Sequence, residues 1–209
     1  MAKTAENSLI QAKTGYHHGD LREALIAAVQ QLLIEKGADS FTLADACRLA
    51  GVSTAAPYRH FQDREEILRL IMTRTFDALA DKTREAAEAY EQGSLDRIVA
   101  MGHAYIDFAV NQEALFRLMF GPNSTLKLQP EVEDCGKECF SQVIEEIGIY
   151  CQLNNIRGDA SLLGIRMWTF VHGAASLFIN NEYQTICPEI DLGFVKDMIE
   201  KTAPTMLSS

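Results

Sequence analysis

Phe41-Thr42-Leu43-Ala44-Asp45-Ala46-Cys47-Arg48-Leu49-Ala50-Gly51-Val52-Ser53-Thr54-Ala55-Ala56-Pro57-Tyr58-Arg59-His60-Phe61 is the stretch whose reading decides the fold. Thr42 can cap a helix of barely two turns, Asp45 stands at capping-box spacing, and Gly51 can stop the helix in the left-handed conformation. Only Val52 separates that stop from Ser53, a residue type that caps a following helix, here expected over residues 54–61. Two short helices around a tight glycine-containing turn have helix-turn-helix spacing. Leu43, Ala46, Cys47, Val52 and Phe61 are expected to form a small core with a preceding helix. That helix would open at Asp20 with Glu23 in capping-box spacing, and Gly37 would close it. Its Leu21, Leu25, Ala28, Val29, Leu32 and Leu33 repeat at the spacing of one buried face.

The second short helix carries small residues in its first turn, which lets a backbone approach a groove closely. Tyr58, Arg59 and His60 then offer hydroxyl, guanidinium and imidazole donors. An arginine there can pair with guanine or with a phosphate, and the sequence leaves both open. Pro57 is tolerable only within the first turn, where its missing N–H matters little. Asp63 and Glu66 form a second capping-box pair, and Arg64 stands at that helix N-terminus, where backbone N–H groups favour a phosphate. Charge supports the same division. The net charge is −10, but residues 1–64 hold seven basic and seven acidic side chains and three of the five histidines. All the excess acidity lies in residues 65–209.

The stretch from Gly19 to Leu70, and above all Thr42 to Ala46, Ala50 to Ser53 and Tyr58 to Leu68, resembles the N-terminal domain of TetR-family transcription regulators. The resemblance covers about a quarter of the chain. It implies an all-α homodimer that binds a palindromic double-stranded DNA operator, as a repressor or more rarely an activator. Release of the operator when a small molecule occupies the C-terminal domain is also implied. On this pattern Thr42 lies near the DNA backbone, Tyr58 matches a phosphate-contacting aromatic, and Arg64 matches a phosphate-contacting lysine. Ser53, Thr54, Ala55, Arg59 and His60 complete the expected DNA-binding set. Thr54 and Ala55 hold positions commonly taken by Lys and Gly, and Pro57 replaces a common Leu or Ile, so the resemblance carries over no base preference. Lys13, Tyr16, His17 and His18 could run as an arm along the DNA or form an unstructured tail.

Helix signals continue to the end, and no strict alternation suggests a strand. Helices are expected at residues 64 to about 90, 95–110, 113–120, 130 to about 154, about 160–181 and 192 to just before Pro204, for about nine in all. The expected organisation is a helix-turn-helix unit over residues 15–64 and a helical effector-binding and pairing domain over residues 65–209. His103, Phe108, Phe116, Met119, Phe120, Phe140, Ile144, Trp168 and His172 are candidates to line a pocket for a small hydrophobic or amphipathic effector, although such stripes are more often plain core. Trp168 and His172, four apart, share one helical face ahead of Gly173. This Trp…His-Gly pattern, with residues 115–120, resembles one C-terminal TetR subfamily. Leu162, Ile165, Ala175, Phe178, Ile179, Phe194, Val195, Met198 and Ile199 are the candidate pairing face between two copies, with intramolecular core as the alternative.

Cys135 and Cys139 share a helical face, but no further ligand stands nearby to complete a metal site. No phosphate-binding glycine loop, no H-E-x-x-H and no catalytic constellation occurs, so neither an enzyme nor a cofactor is expected. The longest run free of charge, residues 167–181, is short for a membrane span, and residues 1–7 lack an apolar signal core. A cytoplasmic regulator without a membrane partner is the expectation. The alternatives are a DNA binder without an effector, or an enzyme or carrier using the apolar cavity.

Overall fold

The computed structural model describes residues 18–121 and 125–208 and shows nine α-helices among them. α1 (His18–Lys36) packs its apolar stripe inward and ends at Gly37, whose φ of +76° few side-chain-bearing residues tolerate. It begins before Asp20, so Asp20 is not its cap, and His18 belongs to the helix rather than to an arm. Lys13, Tyr16 and His17 lie outside the described residues.

α2 (Leu43–Leu49) carries the complete capping box. The Asp45 N–H donates to Thr42 Oγ1 at 3.2 Å, and the Thr42 N–H donates to Asp45 Oδ2 at 2.8 Å. Gly51 ends it at φ +68°, and the Val52 N–H reaches back to the Cys47 carbonyl at 2.9 Å. Ala46, Cys47 and Phe61 are buried against α1, with Leu43 and Val52 packed at the edge.

The expected helix over residues 54–61 is a correction. It is a single 3-10 turn, Pro57–Arg59, and Ser53 does not cap it. The cause is Pro57, which has no N–H for the Ser53 carbonyl. That carbonyl instead accepts from Ala56 at 3.0 Å, the tighter 3-10 pattern, and an α-type bond returns only from Phe61 N–H to Pro57 at 2.9 Å.

α3 (Arg64–Glu88) is capped by Asp63, whose Oδ1 accepts from the Glu66 N–H at 2.7 Å. Glu66 reaches past the cap to the Gln62 N–H at 2.6 Å, one residue beyond capping-box geometry. α4 (Leu95–Asn111), capped by Ser94, and α5 (Glu113–Phe120) follow. A 3-10 turn (Thr125–Leu128) leads into α6 (Pro130–Leu153). α7 (Ala160–Ile179) is capped by Asp159, and α9 (Leu192–Leu207) by Asp191. Two details differ from expectation. α8 (Glu182–Ile186) fills the connection after α7, started by Asn181 in the left-handed region, and α9 continues through Pro204 to Leu207.

α3 and α4 form the most extensive helix contact, with α6 on α3 and α7 and α9 on α4. α7 is long and apolar enough to cross a membrane by length and composition. Its Leu163, Met167, Val171, Ala174 and Ala175 are nevertheless buried among α4, α6 and α9.

The junction of these helices is held by Arg97 on the first turn of α4. Its guanidinium donates to the Ala87 and Tyr90 carbonyls at 3.1 Å each, and in a two-pronged pair to Glu146 of α6 at 2.7 and 2.8 Å. Both side chains are largely buried, 14% and 16% exposed. Arg97→Ala is expected to destabilise the fold by about 3–5 kcal/mol in urea unfolding, since it orphans a buried carboxylate and two carbonyls. A loss below about 1 kcal/mol would show the pair to be solvated in effect.

Candidate nucleic-acid interface and effector cluster

The tight turn at Gly51 and the 3-10 turn at Pro57 bring a short run of side chains to the surface at one end of the molecule. Ser53, Thr54, Ala55, Tyr58 and Arg59 are exposed, Tyr58 by 66% despite its ring, and His60 is half-buried. Pro57 and Phe61 are buried beneath them and fix the turn on the α1–α2 core. Arg59 makes no ion pair among the described residues, so its guanidinium is available to an anion or a base edge. Thr42 is differently placed: its hydroxyl and N–H are both spent on Asp45, and those bonds, foremost from the Thr42 side chain, hold the Asp45 carboxyl below its ordinary range.

Arg64 departs from expectation. Its guanidinium lies over the Phe41 ring at 4.4 Å and donates to the Ala38 carbonyl, with Glu65 at 3.4 Å. The side chain is only 21% exposed, so it ties α3 to the loop before α2 rather than presenting a free cation to a phosphate.

The C-terminal candidates separate into two groups. Phe116, Phe120, Phe140, Trp168 and His172 converge in one aromatic cluster. The His172 ring stacks on Phe116 at 5.4 Å and meets Phe120 at 4.8 Å and Trp168 at 5.3 Å. Met119 is buried in the core nearby in sequence, and Ile144 and Phe140 pack close to Gly164 of α7. His103 and Phe108 do not join the cluster. His103 Nε2 is 3.1 Å from the Lys196 carbonyl on α9, and Phe108 lines a separate groove of about 700 Å³ between α3 and α4.

Tyr105, which did not stand out in the sequence, is the centre of the cluster's polar chemistry. The Trp168 indole N–H donates to Tyr105 Oη at 3.3 Å, and that oxygen is 2.8 Å from His172 Nδ1. Tyr105 is buried, and no other acceptor for its hydroxyl proton stands among the described residues. The O–H therefore donates to Nδ1, leaving His172 neutral with its proton on Nε2. Burial first, and then the Lys127 ammonium, lowers the His172 pKa; burial raises that of Tyr105. Burial pushes the Cys139 thiol beside them up to about 12 and raises that of Cys135, which disfavours the thiolate at both.

The candidate pairing face also divides. Ala175, Val195 and Ile199 are fully buried in this chain's own core, which corrects their assignment. Leu162, Ile165 and Phe194 are exposed, and Phe178, Ile179 and Met198 are half-buried. Beside them α7 and α9 border a groove of about 590 Å³, whose lining includes Phe170, Gly173, Leu177 and Met206. A Cβ added at Gly173 would meet nothing within 4 Å, so this glycine faces open space.

Comparison with known proteins agrees with this architecture. Residues 25–71 match the model of bacterial regulatory proteins of the tetR family, and residues 98–199 match that of the tetracyclin repressor-like C-terminal domain. The HTH-type transcriptional regulator Rv1816 of Mycobacterium tuberculosis is 29% identical over 107 residues, 49% of this chain and 46% of that protein. The match thus spans about half the length of that relative. The nucleoid occlusion factor SlmA of Pectobacterium carotovorum is 24% identical over 170 residues, covering 78% of this chain and 85% of its own. A solved structure of a protein of unknown function from Rhodococcus sp. RHA1 superposes with a TM-score of 0.78 at 26% identity, covering 93% of this chain and 97% of that one. With an N-terminal and a C-terminal family model each matching its own segment of an all-α chain, this protein belongs to the TetR family of bacterial regulatory proteins.

Proposed function

We propose that this chain is a DNA-binding transcription regulator, acting as a repressor on a palindromic operator as a homodimer in the cytoplasm, and released by a small apolar or amphipathic effector. One observation carries the DNA reading. The exposed run Ser53, Thr54, Ala55, Tyr58 and Arg59 sits on an electrically neutral N-terminal segment, while the rest of the chain carries the net charge of −10. The acidic body is repelled by phosphates, so contact is confined to the recognition turn and its flanks. Residues 15–64 would read DNA, and residues 65–209 would pair and sense.

Pairing rests on α7. It is apolar on more sides than this chain covers, with Leu162 63% exposed and Leu177 43%, and Phe194 of α9 continues the surface. An apolar surface of this extent is covered most simply by a second copy of itself, which would set two recognition turns for major grooves roughly 34 Å apart or a multiple. Effector sensing rests on the aromatic cluster, whose Trp168 is 38% exposed at its edge.

Arg59→Ala is expected to weaken operator binding in a gel shift. A changed sequence preference assigns Arg59 to a base edge, and a uniform loss with a salt slope lower by about 1 assigns it to phosphate. Unchanged affinity would remove Arg59 from the interface. Arg64→Ala, by contrast, is expected to lower thermal stability while leaving the salt slope intact, which a slope change would contradict. Leu177→Glu should yield monomers in sedimentation and lose operator affinity; a dimer of undiminished affinity would move the pairing face elsewhere. His172 gives a pH test. A folded-state pKa below the ordinary value of 6.5 means that its contribution to stability is present above that value and lost as pH falls through the lowered one. Acidification should therefore destabilise the native protein more than His172→Gln, as read by urea midpoints on both sides of the range.

A further inference from the structure

We propose that the polar edge of the aromatic cluster is a carboxylate seat, so that the effector is an organic carboxylate carried on an apolar or aromatic body and held by Lys127 and His172. This deepens the effector reading given above and rests on it. Lys127 Nζ donates to the Gly121 carbonyl at 2.9 Å, and Gly121 directly follows Phe120, whose ring is 4.8 Å from His172. One ammonium N–H is thereby spent and two remain. His172, with Nδ1 occupied by the Tyr105 hydroxyl, has an Nε2–H left to donate.

The charge balance is what calls for an anion. The other half-buried basic side chains of the C-terminal helices have acids, Arg97 with Glu146 and Lys196 with Asp107, whereas Arg166, which has only the Met206 carbonyl, is exposed to water. Lys127 is half-buried, yet no carboxylate among the described residues lies within 4.0 Å of its Nζ, and burial lowers its pKa without an acidic group to restore it. A partly desolvated ammonium without a counter-ion is destabilising, and a ligand carboxylate would relieve it. Two donors suit the two oxygens of one carboxylate, and Phe116, Phe120 and Trp168 around His172, with Phe140 on Trp168, suit an apolar body rather than a bare inorganic anion.

Trp168 is the only tryptophan in the sequence, so its fluorescence reports the cluster directly. The native full-length chain is titrated with hydrocinnamate, with octanoate, with neutral hydrocinnamamide and with inorganic phosphate. A saturable response to hydrocinnamate or octanoate is expected. Affinity should be about tenfold weaker for the amide and for Lys127→Gln, as the loss of one charge-assisted contact requires, with recovery in Lys127→Arg. Thermal unfolding of Lys127→Gln confirms that it folds. No saturable response to either carboxylate, an amide as tight as the acid, a response to phosphate alone, or undiminished binding by a folded Lys127→Gln would each overturn the seat. Operator release is read separately by gel shift. Carboxylate binding without release would uphold the seat and sink the effector reading, whereas release by the amide alone would do the reverse.

Discussion

Arg97 answers a problem set by a long helix ending against a bundle. α3 runs for 25 residues and stops at Glu88, leaving its last carbonyls facing the start of α4 with little water to satisfy them. A residue on the first turn of α4 can reach them, and Arg97 gives Nη1 to Ala87 and Tyr90 together. Its remaining fork is taken by Glu146, so one side chain joins the end of α3, the start of α4 and the middle of α6. Gly93 turns the chain at φ +76° between the helices, and Asn154 donates to its carbonyl at 3.0 Å from the end of α6. The angle at which α3 leaves this junction decides where its first turn stands, and α3 begins beside the recognition turn.

At that other end the same logic applies with a different arginine. Arg64 is bound to the Phe41 ring and the Ala38 carbonyl, which lie between α1 and α2. A movement of α3 therefore pulls on the loop that precedes α2. The Arg74 pair with Glu23, at 2.7 and 2.9 Å, adds a second tie between α3 and α1, although its exposure leaves it worth little alone. The cations of this end are thus divided by task, with Arg64 and Arg74 holding helices together and Arg59 left exposed.

Much of the architecture was legible because helix ends are written in short-range chemistry. Thr42 with Asp45, and Asp63, cap the helices they were expected to cap, and Gly37 and Gly51 take positive φ where breaks were expected. The misreadings share another cause. Pro57 changes which carbonyl finds a donor, and that depends on backbone geometry more than on propensity; Pro204 is accommodated inside α9 because the packed helix outweighs one lost bond. Periodicity found the apolar stripes of α7 and α9 but could not say which stripe faced inward, so Ala175, Val195 and Ile199 were read with the exposed residues. Tyr105 was missed because its partners are 63 and 67 residues away, whereas Trp168 and His172 advertise themselves by sharing one face. Lys127 was missed because an unpaired charge shows only once every acid has a position.

Under the proposed function α7 takes on two duties, and its sequence is too apolar for one. Leu163, Met167 and Val171 face the core, Trp168 and His172 belong to the aromatic cluster, and Leu162 and Leu177 are exposed, with Phe170 and Gly173 lining the outer groove. A helix is stiff along its length, so a ligand that displaces Trp168 or His172 cannot do so without bearing on the outward face three or four residues away. Under the proposed function that face is where the second copy sits, and the spacing of the two recognition turns is set by how the copies meet. Sensing and pairing need no long relay between them, because they are two sides of one rod.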